Sequence, residues 1–139
     1  MPNIAVMTDT VSYMPKEIAD KYNITQVPTH IIINGEEYRE DKLDLTEFYQ
    51  KMPKWKEGNN LPSTSSPSPD DFTRAYRKLS KDYQSIVYVG YSEHLGMAVQ
   101  SASLAKDLVK NELTKTEIEV FDSKTWGGGQ MMITLVIAR

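Results

Sequence analysis

Short β-branched runs alternate along this chain with segments of helical periodicity, and this alternation constrains the fold more than any other feature. Strands are predicted over residues 4–7, 25–33, 85–91 and 118–121. Amphipathic helices are predicted over residues 15–22, from 69 to about 80, from 96 to about 110, and from 127 to 139. Such alternation is typical of an α/β fold with a mainly parallel sheet, because each helix crosses from one strand to the next.

One hairpin and one further helix interrupt this pattern. Asn34-Gly35 is the strongest short signal for a two-residue hairpin turn, and the polar segment 36–39 then returns as a strand. Capping-box spacing at Asp44 opens a helix that is expected to end near Met52. Residues 52–61 contain proline, glycine and two asparagines, which indicate an exposed loop.

Residues 62–69 read Pro-Ser-Thr-Ser-Ser-Pro-Ser-Pro. They cannot form a core strand, because each hydroxyl needs a partner and each proline removes a backbone donor. Ser68 fits the N-cap of the next helix, Pro69 its first residue and Asp71 an acid in its first turn. A hydroxyl-rich loop that leads into a helix N-terminus can bind a carboxylate or a phosphate. A simple turn with a cap fits the same residues, and the stretch alone leaves both readings open.

Polar residues follow three of the predicted parallel strands. They are Thr-Asp-Thr at 8–10, Ser-Glu-His at 92–94 and Asp-Ser-Lys at 122–124. In an open α/β sheet ligands bind beyond the carboxyl ends of the strands, so the three clusters are expected to share one edge beside residues 62–69. Each cluster alone is ordinary turn chemistry, whereas the three together favour a ligand site.

Glycines mark two further candidate positions. Gly96 lies where a strand-to-helix loop enters its helix, and its missing side chain would let an anion approach the free N–H groups of the first turn. Gly127-Gly128-Gly129 is a weak nucleotide signal, because neither a Walker lysine nor the full dinucleotide spacing accompanies it. A flexible turn at Gly96 and close helix packing at 127–129 explain these glycines equally well.

Catalytic and metal-binding residues are not evident. His94 is a candidate general base, but no serine has the strand–elbow–helix pattern of a nucleophile, so a polar loop role is favoured. His30 lies among apolar strand neighbours and is expected to be structural. Asp9 and Asp122 could share a metal ion, but the absence of further paired ligands favours turn capping by both. We expect no catalytic residue, no metal and no cofactor.

Composition excludes several functional classes. A net charge of −3 and a pI near 5.4 give no bulk attraction for nucleic acid or for an anionic membrane. The chain has no cysteine, which excludes disulfides, thiolate zinc sites and cysteine nucleophiles. Its first residues show no signal-peptide pattern, and no apolar run approaches the ~20 residues that a membrane-spanning helix needs. We expect a cytoplasmic protein that neither binds nucleic acid nor inserts into a membrane.

Four motifs occur in one order along the chain. They are Thr8-Asp9-Thr10 with Met14-Pro15, residues 64–69 with Phe72, residues 91–97 leading to Gln100-Ser101-Ala102, and Asp122-Ser123-Lys124. In order and spacing they resemble the Thr-Asp-Ser…Leu-Pro, Thr-Ser-Gln-Pro-Ser, Ser-Ser-x-Leu-Ser-Gly and Asp-Ser-Lys/Arg segments of the DegV family, bacterial proteins that bind long-chain fatty acids. The resemblance covers essentially the whole chain.

The resemblance implies a three-layer α/β fold in which residues 1–139 form a DegV-type N-terminal domain, with the second family domain absent from this chain. It implies a long-chain fatty acid between two domains, its carboxylate held by hydroxyls and backbone amides of the first. By position, the head-group residues are Thr64, Ser65, Ser92, Gly96 and Met97, with Asp9 and Ser123 in support. Several family members present the acid to a fatty-acid kinase and do no chemistry themselves.

This chain departs from the family pattern near the expected head group. Glu93 replaces a serine, Gly96-Met97 replaces a Ser-Gly step, and Ser66 replaces a glutamine. A carboxylate at Glu93 would repel a ligand carboxylate if it pointed inward. Without the second domain a long acyl chain stays largely wet, losing ~0.8 kcal/mol for each unburied methylene. Weak binding or none is therefore expected, unless a second copy of the chain supplies the missing wall in a homodimer.

Two other readings are kept. The chain could be a nucleotide- or phosphate-binding α/β enzyme domain that uses residues 127–129 and the acids at the strand ends. It could also be a truncated relative that folds without a ligand, which the changes at Glu93 and Met97 keep open.

Overall fold

The computed structural model describes residues 3–139, and within this range the chain forms seven strands, five α-helices and two short 3-10 turns. The strands are β1 (Ile4–Asp9), β2 (Thr25–Val27), β3 (His30–Ile33), β4 (Glu36–Arg39), β5 (Ser63–Ser65), β6 (Ser85–Gly90) and β7 (Glu117–Asp122). The helices are α1 (Lys16–Lys21), α2 (Leu45–Glu57), α3 (Pro69–Leu79), α4 (Ala98–Val109) and α5 (Gly128–Ala138). The 3-10 turns cover Thr10–Ser12 and Glu40–Lys42.

Two sheets organise the molecule. The larger sheet has the strand order β2-β1-β6-β7, and all of its strands are parallel. The smaller sheet has the order β4-β3-β5 and is antiparallel. The predicted α/β class with a mainly parallel sheet is confirmed, and the Asn34-Gly35 turn joins β3 to β4 as predicted.

Helices cover both faces of the parallel sheet, which gives three layers. Successive residues of a strand point to opposite faces, so Met7 packs with α3 and α4 while Val6 packs with α1 and α5. On the first face Phe72 and Tyr76 of α3 are fully buried. The α4 residues that face the sheet are mostly alanines, and these small side chains let the helix lie close to the strands. None of the helices in residues 3–139 has the length and apolar composition needed to cross a membrane.

The predicted end of α2 was wrong. The helix continues beyond Met52 to Glu57 with Pro53 inside it, where an exposed loop was expected. No residue of α2 is buried, so the backbone bond that Pro53 forgoes lies at the surface, where water can replace it. The rings of Phe48 and Trp55, two helical turns apart, pack with centroids 5.4 Å apart and favour the longer helix.

The reading of residues 62–69 as a loop was also wrong in part. Residues 63–65 form β5, an edge strand in which Thr64 pairs with Ile31. An edge strand satisfies its backbone on one side and leaves its hydroxyls near water, so the objection to a core strand does not apply here.

The predicted start of α3 is confirmed. Ser68 Oγ accepts the Asp71 N–H at 3.2 Å, and Asp71 Oδ2 accepts the Ser68 N–H at 2.8 Å, which together make a capping box. Pro69 is the first helical residue. This box fixes where β5 ends and α3 begins.

A buried hydrogen-bond network joins α5 to the parallel sheet. Gln130 Nε2 donates to Thr8 Oγ1 at 3.0 Å, to Asp9 Oδ2 at 3.0 Å and to the Val89 carbonyl at 3.2 Å. Tyr88 Oη donates to Asp9 Oδ2 at 2.6 Å. All these side chains are closed to solvent, so the network holds the carboxyl ends of β1 and β6 in a fixed relation to α5.

Asp9 carries an altered pKa within this network. Burial raises the pKa of its carboxyl from 3.8 to about 6, against hydrogen bonds from Tyr88, Gln130 and the Val11 backbone that lower it. Desolvation of the charged form therefore outweighs the donors that surround it.

Replacing Gln130 with methionine keeps a side chain of similar length and removes the shared amide donor. We expect the free energy of unfolding to fall by about 1–3 kcal/mol, because buried acceptors lose a partner where water cannot enter. Denaturant titration followed by circular dichroism measures this change. Gln100→Met at an exposed position of α4 is the matched control and is expected to change stability by less than about 0.5 kcal/mol. Equal small changes in both variants would contradict a stabilising role for the network.

The raised pKa of Asp9 makes stability depend on pH in a defined direction. Between about pH 4 and pH 6 the folded chain keeps a proton that the unfolded chain releases, so the free energy of unfolding falls as pH rises through this window. The full loss is on the order of 3 kcal/mol for a shift of this size.

Asp9→Asn should remove this titration. Relative to the unaltered chain, we expect the variant to gain stability by about that amount between pH 4 and pH 7, because asparagine does not titrate. Denaturant titrations of both proteins across this range give the difference, in which the other carboxyl groups cancel. A stability difference that does not change with pH would show that the pKa of Asp9 is not raised.

Candidate ligand-binding site

A pocket of about 710 Å³ lies at the carboxyl edge of the parallel sheet, where a ligand site was predicted. Val11 lines it from the turn after β1, Tyr91 from the end of β6, and Trp126 from the loop after β7. Ile31 and Thr64 of the small sheet line the facing wall. The pocket therefore lies between the two sheets, and neither sheet forms it alone.

The structure brings most of the predicted head-group residues to this pocket. Thr64, Ser65, Gly96 and Met97 line it. Ser92, Asp9 and Ser123 are buried beside it and are not part of its lining among the described residues.

Thr64 and Ser65 point in different directions because they are neighbours in one strand. Thr64 lies opposite Ile31, and both line the pocket. Ser65 lies opposite His30, and its hydroxyl donates to Glu37 Oε1 at 3.2 Å. The Thr64 hydroxyl is therefore the better placed of the two to meet a ligand.

His30 fastens the small sheet to α3. Its Nδ1 lies 2.9 Å from Glu37 Oε1, and its Nε2 lies 2.8 Å from Asp71 Oδ2. Burial acts to raise the pKa of Asp71, but hydrogen bonds from Ser68 and His30 more than offset it, so the pKa lies below its usual value. These contacts hold the strand that carries Thr64 against the N-terminus of α3, in agreement with the structural role expected of His30.

Ser66 and Tyr91 form a hydroxyl pair in the pocket lining that sequence reasoning did not identify as a site. Their oxygens are 2.6 Å apart, and Ser66 Oγ accepts the Met97 N–H at 3.0 Å. Gly96 makes this approach possible, since a Cβ there would lie 2.6 Å from Tyr91 Oη. Ser66 lay within the hydroxyl-rich stretch, but no local signal pointed to Tyr91, 25 residues away in sequence.

The first turn of α4 therefore differs from expectation. The helix begins at Ala98, two residues later than predicted, and the Met97 amide is occupied by Ser66. The missing side chain of Gly96 leaves room for Tyr91 and Ser66 to pack, which is a structural reason for the glycine.

Ser92 and Ser123 join two loops beneath the pocket. The Ser92 N–H donates to the Thr125 carbonyl at 2.8 Å, and the Ser123 N–H donates to the Gly90 carbonyl at 3.1 Å. Ser92 Oγ accepts the His94 N–H at 3.4 Å. These bonds fix the position of the lining without bringing either hydroxyl to the pocket surface.

Glu40, rather than Glu93, is the acidic residue of the pocket. Glu93 is exposed and lies outside the lining of the described pocket, so its side chain does not face the expected head group. Glu40 lines the pocket and accepts hydrogen bonds from the hydroxyls of Thr10 and Thr29. Within the described part of the chain, no lysine or arginine lines this pocket.

Aromatic side chains surround the pocket. Phe48 and Tyr49 of α2 lie on one side, and the Tyr13 and Trp126 rings meet edge to face with centroids 6.4 Å apart. Tyr13 and Trp126 are more than half exposed, at 65% and 57%. The pocket thus has a largely apolar rim beside a small set of polar donors.

Gly127 and Gly129 have structural roles. Gly127 has φ of 57°, a left-handed conformation that disfavours larger residues, and Gly129 lies where a Cβ would be 2.5 Å from Thr125 Oγ1. Among residues 3–139 no three metal-ligating side chains cluster, and Asp9 and Asp122 each accept a local backbone N–H as turn caps.

Comparison with known sequences agrees with this architecture. The chain is 33% identical over 122 residues to a DegV domain-containing protein of Clostridium perfringens and 32% identical over 123 residues to Protein DegV of Bacillus subtilis. The matches cover 88% of this chain but 42% and 41% of the two relatives. The chain therefore spans less than half the length of these curated relatives.

Solved structures show the same fold. DegV of Bacillus subtilis, described as a fatty acid binding protein, superposes with a TM-score of 0.86 at 30% identity, covering 99% of this chain and 47% of that one. A stearic acid-binding protein from Eubacterium ventriosum gives a TM-score of 0.88 at 26% identity, covering 100% of this chain and 47% of that one.

The profile of the DegV family matches residues 3–139, which is nearly the whole sequence. Together with the shared fold, this match shows that the chain belongs to the DegV family.

Proposed function

We propose that this chain binds a long-chain fatty acid in the pocket between its two sheets. The hydroxyls of Thr64 and of Ser66, the residue that binds the Met97 amide, face the carboxylate. The acyl chain lies along the aromatic and aliphatic rim. The fatty-acid-binding descriptions of its structural relatives support this ligand class.

One observation carries the proposal: neutral hydroxyl donors and apolar walls meet in the same pocket, and no basic side chain lines it within the described residues. Phosphate and nucleotide sites are commonly built with lysine or arginine, which pair with the higher charge. A carboxylate carries one negative charge and is satisfied by hydroxyl and amide donors. The pocket therefore suits a fatty acid better than a phosphorylated ligand.

The proposed role is that of a carrier, and we infer that the chain does no chemistry on the acid. The Ser92 hydroxyl, close in sequence to His94, is buried, and within residues 3–139 its oxygen accepts only the His94 backbone N–H. Delivery of the acid to a fatty-acid kinase is the corresponding partner hypothesis. The pocket is open on the side of its exposed aromatic rim, so a second domain or a second copy of the chain would complete the wall.

Native mass spectrometry of gently purified protein, followed by titration with oleate, tests the ligand class. We expect a bound lipid or measurable but weak oleate binding, because the wall is incomplete and each methylene that the apolar rim does bury contributes ~0.8 kcal/mol. A thermal-shift screen with ATP, NAD and divalent metals runs in parallel. Stabilisation by a nucleotide with none by oleate would reverse the assignment in favour of the phosphate-binding alternative.

Thr64→Val tests the head-group assignment within that ligand class. Valine keeps the shape of the side chain and removes the hydroxyl, so we expect oleate binding to weaken by about 1–2 kcal/mol, close to tenfold. Isothermal titration calorimetry measures the change. Thr114→Val at an exposed position remote from the pocket is the matched control and should leave affinity unchanged. Unchanged affinity in both variants would remove Thr64 from the site.

A further inference from the structure

Tyr91 and Ser66 form a hydroxyl pair at the pocket, and one of their two hydrogens has no acceptor among residues 3–139. Tyr91 is only 6% exposed, yet both residues line the pocket. Ser66 Oγ accepts the Met97 N–H at 3.0 Å and shares a 2.6 Å hydrogen bond with Tyr91 Oη.

The two hydroxyls of the pair carry two hydrogens between them. Each hydroxyl can donate one hydrogen, and one hydrogen occupies the bond between the two oxygens. Within residues 3–139 the structure shows no acceptor for the other hydrogen. Whichever residue donates across the pair, the remaining O–H is available to an acceptor in the pocket.

The surroundings keep this donor neutral and in place. Burial raises the pKa of Tyr91, with hydrogen bonds from Ser66 and the Ala98 backbone opposing it, so the phenol keeps its proton at physiological pH. The carboxylate of Glu40, the acid of the pocket lining, already accepts hydrogen bonds from the hydroxyls of Thr10 and Thr29.

We propose that the Tyr91–Ser66 pair is a carboxylate-binding element of this pocket, in which either hydroxyl donates to the head group and the other orients it. This inference rests on the proposed fatty-acid function and adds to it the pairing of Ser66 with Tyr91. A donor backed by a second hydroxyl is polarised by its neighbour, and hydrogen bonds to a charged acceptor are the stronger kind. The pair therefore favours the ionised acid over its neutral ester.

The redundancy of the pair gives a specific signature in variants. Tyr91→Phe leaves the Ser66 hydroxyl to donate, and Ser66→Ala leaves that of Tyr91, so each alone should weaken oleate binding less than about threefold. The double variant has no donor left and should weaken binding about tenfold or more. Methyl oleate binding should change much less in all three, because its acceptor is uncharged.

Gly96→Ala provides an independent variant that keeps both hydroxyls. Its Cβ would lie 2.6 Å from Tyr91 Oη and 3.1 Å from Ser66 Oγ, so both hydroxyls must shift from their present positions. We expect a loss of oleate affinity similar to that of the double variant. Tyr83→Phe, just before β6 and outside the pocket lining, is the matched control.

We test the carboxylate-binding role of the pair by calorimetric titration of the full chain with oleate and with methyl oleate. The melting temperature of each variant is measured alongside. The proposal is supported if the double variant loses oleate affinity selectively while its melting temperature stays near that of the unaltered chain. It is overturned if the double variant binds oleate as the unaltered chain does, or if oleate and methyl oleate weaken equally in step with stability, which is the behaviour of a structural helix cap. If the unaltered chain binds no oleate, the proposed function fails first and the inference fails with it.

Discussion

The buried contact between α5 and the ends of β1 and β6 is the constraint on which the rest of the molecule depends. The two amide hydrogens of Gln130 are shared among Thr8 Oγ1, Asp9 Oδ2 and the Val89 carbonyl where water cannot reach them. Hydrogen bonds in such a dry site are directional and costly to leave unmade, so they fix the strand ends closely. The loops that line the pocket begin at these strand ends, and their positions follow from this contact.

The second wall of the pocket depends on a different set of contacts. The small antiparallel sheet packs beside the parallel one, and His30, Glu37 and Asp71 tie it to the start of α3. Asp71 also closes the capping box with Ser68, so one carboxylate sets both the helix start and the sheet position. Thr64 lies in β5, which pairs with β3, the strand that carries His30.

Electrostatics then limit what the pocket can hold. Its donors are hydroxyl and amide groups, the described lining contains no basic side chain, and its one acid is bound by two threonines. Hydroxyl donors can satisfy a single negative charge, whereas the carboxylate of Glu40 opposes one. The apolar rim formed by Tyr13, Trp126 and the aromatic residues of α2 lies beside these donors, where the proposed acyl chain would bind.

The sequence by itself determined most strands and helices, the hairpin at Asn34-Gly35 and the cap at Ser68, because these depend on local periodicity, turn geometry and side-chain-to-backbone bonds within a few residues. It did not show that the strand predicted over residues 25–33 divides into β2 and β3, which belong to different sheets. The resemblance of its motifs to the DegV family grouped Thr64, Gly96 and Met97 at one site, and all three line the pocket. Only the tertiary structure decided that residues 63–65 pair as a strand, that Tyr91 meets Ser66, and that Gln130 reaches Asp9 across 121 positions. Those outcomes depend on strand pairing and on which face each side chain takes, and long-range packing sets both.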